Sequence, residues 1–130
     1  MIKKLLGNWL PVAAWCSLIF VLSNTPNLKT EFGGFDLVLR KFAHITEYCV
    51  LFLLARRAVS GSFKNISAGR ASLLAAVFSV LYAVSDEIHQ SFVPTRGPSA
   101  LDTVIDTAGV AAGYVIYGFL KKTVKREHAI

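Results

Sequence analysis

Charge is scarce in this chain. Of its 130 residues only 17% are charged, against roughly 25% in an ordinary soluble domain. With 54% of residues hydrophobic and a mean hydropathy of +0.52, disorder, a fibrous repeat and an ordinary soluble domain are excluded. Cysteine is scarcer still. Cys16 and Cys49 are the only two, both inside apolar runs, so a secreted disulfide framework is excluded. Both read as small packing residues. No internal repeat or low-complexity tract is visible, and no H-E-x-x-H, G-x-S-x-G or P-loop string occurs. A length of 130 residues holds one domain.

What the chain does have is four apolar segments, at about residues 5–22, 37–58, 70–90 and 102–120. Each is near the ~20 residues a membrane-crossing helix needs. Segment 5–22 exceeds the ~7–15-residue core of a signal peptide. No small-x-small cleavage site follows it, and Trp15 is too large for lipoprotein-type cleavage before Cys16. It therefore reads as an uncleaved span, with Pro11 a possible kink. Residues 23–36, 60–69 and 91–101 hold the Gly, Pro and polar residues of loops.

The net charge is +6, but the bases form no single patch, so membrane topology explains them better than nucleic acid does. With the amino terminus inside and four crossings, Lys3, Lys4, Arg56, Arg57, Lys64, Arg70, Lys121, Lys122, Lys125 and Arg126 lie inside, ten of the 14 bases. Lys29, Arg40, Lys41 and Arg96 lie outside, with seven of the eight acids. The positive-inside rule is met at every loop. The expected fold is an all-α membrane protein, a four-transmembrane-helix bundle with both termini cytoplasmic.

Helical spacing gathers polar residues at the outer end. Lys41, His44 and Tyr48 share a face of the second segment, overlapping Arg40 and Glu47. Tyr82, Asp86, His89 and Gln90 share a face of the third, and Asp102 and Asp106 are one turn apart on the fourth. At 1.5 Å per residue His44 lies roughly 10 Å deep. Ionisable groups at such depth are expensive against lipid, so they are expected to face one another or a water-filled cavity. Each also has a plainer reading. Arg40 and Lys41 are possible snorkelling anchors, Glu87 a headgroup-facing acid, Asp102 a helix N-cap, and Tyr48 and Tyr82 belt aromatics. A structural ion-pair network would account for His44, Glu47, Asp86, His89 and Asp106. Gly109 and Gly113 form Gly-x-x-x-Gly, sufficient for close helix packing, within the chain or in a homo-oligomer. Trp9 and Trp15 read as interfacial and lipid-facing, and the tail at 121–127 as resting on anionic headgroups.

Three strings carry a resemblance: RKFAHITEY at 40–48, DEIHQSFVPTR at 86–96 and DTVIDTAG at 102–109. Together they resemble the VanZ-like family of small bacterial membrane proteins, over roughly residues 10–120. The resemblance implies a location in the bacterial cytoplasmic membrane. Its recurring polar positions fall on Lys41, His44, Tyr48, Asp86, Glu87, His89, Gln90, Arg96, Asp102, Asp106 and Gly109. One departure is Thr95, where glycine often precedes the arginine. The family's name comes from a member that lowers susceptibility to teicoplanin, and the resemblance implies a fold and location more firmly than a reaction.

Three functions follow from these residues. In a binding protein, the residues from Lys41 to Asp106 would line a pocket for a lipid headgroup, a lipid-linked cell-wall precursor or a lipophilic antibiotic such as a glycopeptide. Arg40, Lys41 and Arg96 would then clamp phosphate, with Arg96 pairing with Asp86 or Asp102. In a hydrolase, His44, Glu47, Asp86 and His89 would be the catalytic candidates, as general bases or as ligands of a divalent metal. No metal site is assigned. The third is a proton-coupled carrier, which would need a homodimer. Membrane lipids are expected partners, and nucleic acid is not.

Overall fold

The computed structural model describes residues 2–25, 33–97 and 99–127. Lys29 and Glu31 of the first expected outer loop, and Pro98 of the second, lie outside them. The described residues form four helices, α1 Ile2–Ser23, α2 Gly34–Ser62, α3 Ala68–Gln90 and α4 Ala100–Glu127. There is no strand among them. Each helix takes in one apolar segment and continues into its charged flanks. Lys, Arg and Glu are good helix formers, so hydropathy marks the apolar middle of a helix rather than its ends. Pro11 sits inside α1 without ending it.

The helix starts follow local chemistry. Gly33 has φ 46 at the start of α2, a left-handed conformation natural to glycine. The hydroxyl of Ser67 accepts from the Arg70 N–H at 3.3 Å and caps α3. At α4 the cap is Ser99, whose Oγ accepts from the Asp102 N–H at 3.4 Å. Asp102 is thus not the cap. It lies in the first turn, where its charge suits the helix dipole.

α2 is the hub. The other three helices pack along it, α4 most extensively. Its inward face carries Tyr48, Leu51, Phe52, Ala55 and Ala58, which meet Val12 and Ile19 of α1, Ala75 and Ala83 of α3, and Val110 of α4. Alanines let the helices approach closely. Gly109 and Gly113 go further: a Cβ on either would lie 2.5 Å from the Ile45 carbonyl oxygen and 2.9 Å from that of Cys49, respectively. The Gly-x-x-x-Gly stripe is therefore used inside the chain, against the α2 backbone.

Polarity runs inside out. Leu10, Val21, Phe42, Leu73, Leu81, Val104 and Phe119 are exposed, while His44, Arg56, Ser79, Asp86, Gln90 and Asp106 are buried. In water this arrangement would be unstable; in lipid it is the natural one. Three helices are long and apolar enough to cross a membrane, over Leu5–Ser23, Ala68–Gln90 and Ala100–Val124. α2 is the exception by composition, because it carries Arg40, Lys41, Glu47, Arg56 and Arg57. Much of that polarity is sheathed by its neighbours. Arg56, read from sequence as a loop-side base, is buried. Its Nε donates to Ser72 Oγ at 3.0 Å, and its guanidinium carbon lies 3.2 Å from the centre of the Tyr117 ring.

The tryptophans also differ from expectation. Trp9 Nε1 donates to Ser62 Oγ and Trp15 Nε1 to the Glu47 carbonyl, both at 2.9 Å. Both rings pack against the core. A half-buried indole N–H needs a partner, and α2 provides one.

Candidate functional site

The end of the bundle formed by the carboxy termini of α1 and α3 and the amino termini of α2 and α4 holds the polar residues of all three motifs. Two buried clusters organise it. In the first, Asp86 Oδ2 accepts from Ser23 Oγ at 2.8 Å, from Gln90 Nε2 at 3.1 Å and from the Tyr48 hydroxyl at 3.4 Å. Gln90 Nε2 also reaches Ser23 Oγ at 3.2 Å. Three helices thus meet on one carboxylate oxygen, and the four side chains are buried. The i, i+4 spacing of Asp86 and Gln90 makes their contact local to α3.

In the second cluster, His44 Nδ1 lies 2.8 Å from Asp106 Oδ1, joining α2 to α4. Tyr48, one turn from His44 on α2, connects the two clusters. Glu47 is half-buried and lies within Coulombic range of His44, Asp106, Asp86 and Arg96. Nearer the rim, Lys41 Nζ is 3.8 Å from Asp102 Oδ1. Glu87 accepts a hydrogen bond from the backbone N–H of Ser99, fastening α3 to the start of α4.

Arg96 folds inward from the loop between α3 and α4. Its Nη1 donates to the Ser23 carbonyl at 2.9 Å, not to the carboxylate of Asp86 or Asp102 that its loop position suggested. Ser23 ends α1, where a helix leaves its carbonyls without internal partners. The arginine fills that vacancy. Its Nε is buried and has no hydrogen-bond partner among the described residues. Burial holds the guanidinium below its ordinary pKa, and the nearby charge of Arg40 adds to the effect, against the pull of Asp86, Asp102 and Glu47. An arginine keeps its charge through such a shift. Of the described acids near it, Asp86 accepts from three donors and Asp102 lies 3.8 Å from Lys41.

His89 stands apart from both clusters. Its ring packs on Phe20 of α1 with centroids 4.5 Å apart, and its buried Nε2 has no hydrogen-bond partner among the described residues. Tyr82, read as a belt aromatic, instead donates to the Cys16 carbonyl at 2.6 Å. Ser23 is the residue that sequence reasoning missed, since a serine at the end of an apolar run has no signal beyond marking a loop. Among the described residues, no three His, Cys, Asp or Glu side chains are grouped so as to hold a metal ion.

Thr95 adopts φ 69, left-handed backbone that a β-branched residue rarely takes. It directly precedes Arg96. Comparison with curated proteins and with solved structures finds no match. The family model described as VanZ/LLP1 matches residues 3–121, taking in all three motifs. The chain belongs to the VanZ/LLP1 family.

Proposed function

We propose that this protein is a multi-pass protein of the bacterial cytoplasmic membrane, with four crossing helices and both termini inside. Its outward-facing polar end binds the anionic headgroup of an envelope lipid, a lipid-linked cell-wall precursor or a lipophilic antibiotic. The observation that carries this reading is Arg96. A half-buried guanidinium that spends one N–H of Nη1 on a neutral carbonyl keeps further donors of its planar fork for phosphate or carboxylate. Lys41 stands at the rim, where its 3.8 Å contact to Asp102 is loose enough to exchange for a ligand. The buried Asp86 and His44–Asp106 clusters hold together the helices that surround these cations. The apolar helix surfaces beside them suit an acyl or prenyl chain.

Native mass spectrometry from mild detergent tests the reading. The wild-type protein is expected to retain an anionic lipid or lipid-linked species, and Arg96→Gln to lose one bound equivalent of it. Equal retention by the two proteins overturns the binding role.

One observation favours a second reading, an intramembrane hydrolase acting on a lipid-linked substrate. The carboxylate of Asp106 fixes the His44 ring as a general base requires. Against it stands the burial of His44, 7% exposed, which leaves little access for a reacting group. Turnover of a lipid-linked ester or phosphoester that is lost in His44→Gln would favour this reading over simple binding.

A further inference from the structure

We propose that the opposite end of the bundle carries a second binding site, for the headgroup of an anionic phospholipid, in the cavity at the turn between α2 and α3. The proposal rests on the chain lying in a membrane, and on the four-crossing topology only for assigning the site to the inner leaflet.

The cavity has a volume of about 410 Å³ and is lined by Phe63, Lys64, Ile66, Arg70, Leu73 and Leu74. That lies within the ~300–1,000 Å³ of small-ligand pockets. Its chemistry is divided as a phospholipid is divided. Lys64 and Arg70 supply two cations, and the ion pairs among the described residues involve neither. Phe63, Leu73 and Leu74 supply exposed apolar walls. Leucines 73 and 74 continue onto the apolar surface of α3, so a headgroup seated between the bases has a path for its acyl chains.

The charge pattern of α3 runs against the needs of a helix. An N-terminus favours acids, yet the first turn of α3 contains none and carries Arg70. Ser67 caps one N–H there. The remaining partial positive charge of the helix end therefore adds to that of the two bases, and an anion from outside complements all three. The turn itself is defined. Asn65 takes φ 70, a left-handed conformation that asparagine tolerates. The last turn of α2 is pinned by Trp9 donating to Ser62 at 2.9 Å and Ser62 donating to the Ala58 carbonyl at 2.7 Å. These contacts fix the end of α2 and the turn that borders the cavity.

The test is titration of the purified protein in non-ionic detergent, followed by native mass spectrometry, with short-chain phosphatidylglycerol, short-chain phosphatidylcholine and inorganic phosphate as separate ligands. Wild-type protein is expected to bind phosphatidylglycerol at least tenfold more tightly than phosphatidylcholine. Lys64→Gln with Arg70→Gln is expected to weaken phosphatidylglycerol on the order of 20-fold, about the effect of two interfacial cations facing anionic lipid. Both side chains are exposed, so thermal unfolding is expected to stay at the wild-type temperature. Lys64→Arg with Arg70→Lys, which keeps both charges, is expected to retain binding, and Arg96→Gln is expected to leave this equivalent bound. Unchanged binding in the Lys64→Gln, Arg70→Gln protein overturns the site. If Arg96→Gln alone then loses lipid, the polar-end reading survives and only this site fails. Inorganic phosphate binding as tightly as phosphatidylglycerol through the same two bases overturns the lipid assignment.

Discussion

His44 Nδ1 and Asp106 Oδ1 meet at 2.8 Å between α2 and α4, with His44 7% and Asp106 1% exposed. A pair this buried stabilises only while both members are present, because removing one strands the other without water. Asp106→Ala is therefore expected to destabilise the protein by about 3 kcal/mol. His44→Phe combined with Asp106→Leu, which removes both polar groups, is expected to melt closer to wild type than either single change. Thermal unfolding in detergent reads both. An Asp106→Ala protein with wild-type stability would show that the pair carries no structural weight.

The same helix pair offers a steric test. A methyl group at Gly109 would lie 2.5 Å from the Ile45 carbonyl oxygen, and one at Gly113 would lie 2.9 Å from that of Cys49 and 2.9 Å from Phe52 Cδ1. Backbone on one side leaves little that can yield, so Gly109→Ala is expected to lose roughly 1–3 kcal/mol, as overpacked cores do. Gly118, on the same helix, has nothing within 4 Å of its would-be Cβ. Gly118→Ala is expected to be neutral or to gain up to ~1 kcal/mol from helix propensity. If the two variants melt alike, the close approach of α4 to α2 is wrong.

Thr95 sits at φ 69, where an L-residue crowds its own carbonyl. Thr95→Gly is expected to raise stability by about 1 kcal/mol, the strain outweighing the extra chain entropy of glycine. A fall in melting temperature would mean that the threonine side chain contributes more than its backbone conformation costs.

The fold was legible where composition changes sharply. Loops at residues 60–69 and 91–101 break the apolar pattern with glycine, proline and polar residues, and the helices end close to those breaks. Side-chain polarity also pointed correctly at buried groups, since His44, Asp86 and Asp106 are too costly to leave facing lipid. Contacts that use backbone atoms were not legible. Neither the Ser23 carbonyl that receives Arg96 nor the Glu47 carbonyl that receives Trp15 is encoded by residue type. His89 shows a different limit. Helical spacing put it on the face of Asp86, but its ring turns to Phe20 across the α1–α3 seam, a choice set by tertiary packing.

Topology has its own test. On the proposed reading Asn24 lies outside and Ser60 inside, and both are exposed. With Cys16 and Cys49 replaced by alanine, a cysteine at Asn24 is expected to react with an impermeant reagent in intact cells. One at Ser60 is expected to react only after permeabilisation. Labelling at position 60 in intact cells would reverse the assignment of ends, or show that α2 does not cross.

The last prediction concerns the geometry of the Arg96 contact. A lysine at this position would keep the positive charge but lose the planar fork, and with it the ability to hold the Ser23 carbonyl with one N–H while taking an anion bidentately with others. The stability loss from Arg96→Lys is expected to be at most about 1.5–3 kcal/mol, the worth of one charge-assisted hydrogen bond. That is smaller than the ~3–5 kcal/mol that breaking a buried pair with a carboxylate would imply. Its effect on ligand is expected to be larger than its effect on fold, with the bound equivalent that Arg96→Gln loses also falling severalfold in Arg96→Lys. Ser23→Ala separates the two roles, because it keeps the backbone carbonyl and removes only the hydroxyl that bonds Asp86 at 2.8 Å. It is expected to lower melting temperature while sparing anionic lipid. Arg96→Lys retaining lipid as wild type does, with Ser23→Ala losing it, would move the binding role from the arginine to the Asp86 cluster.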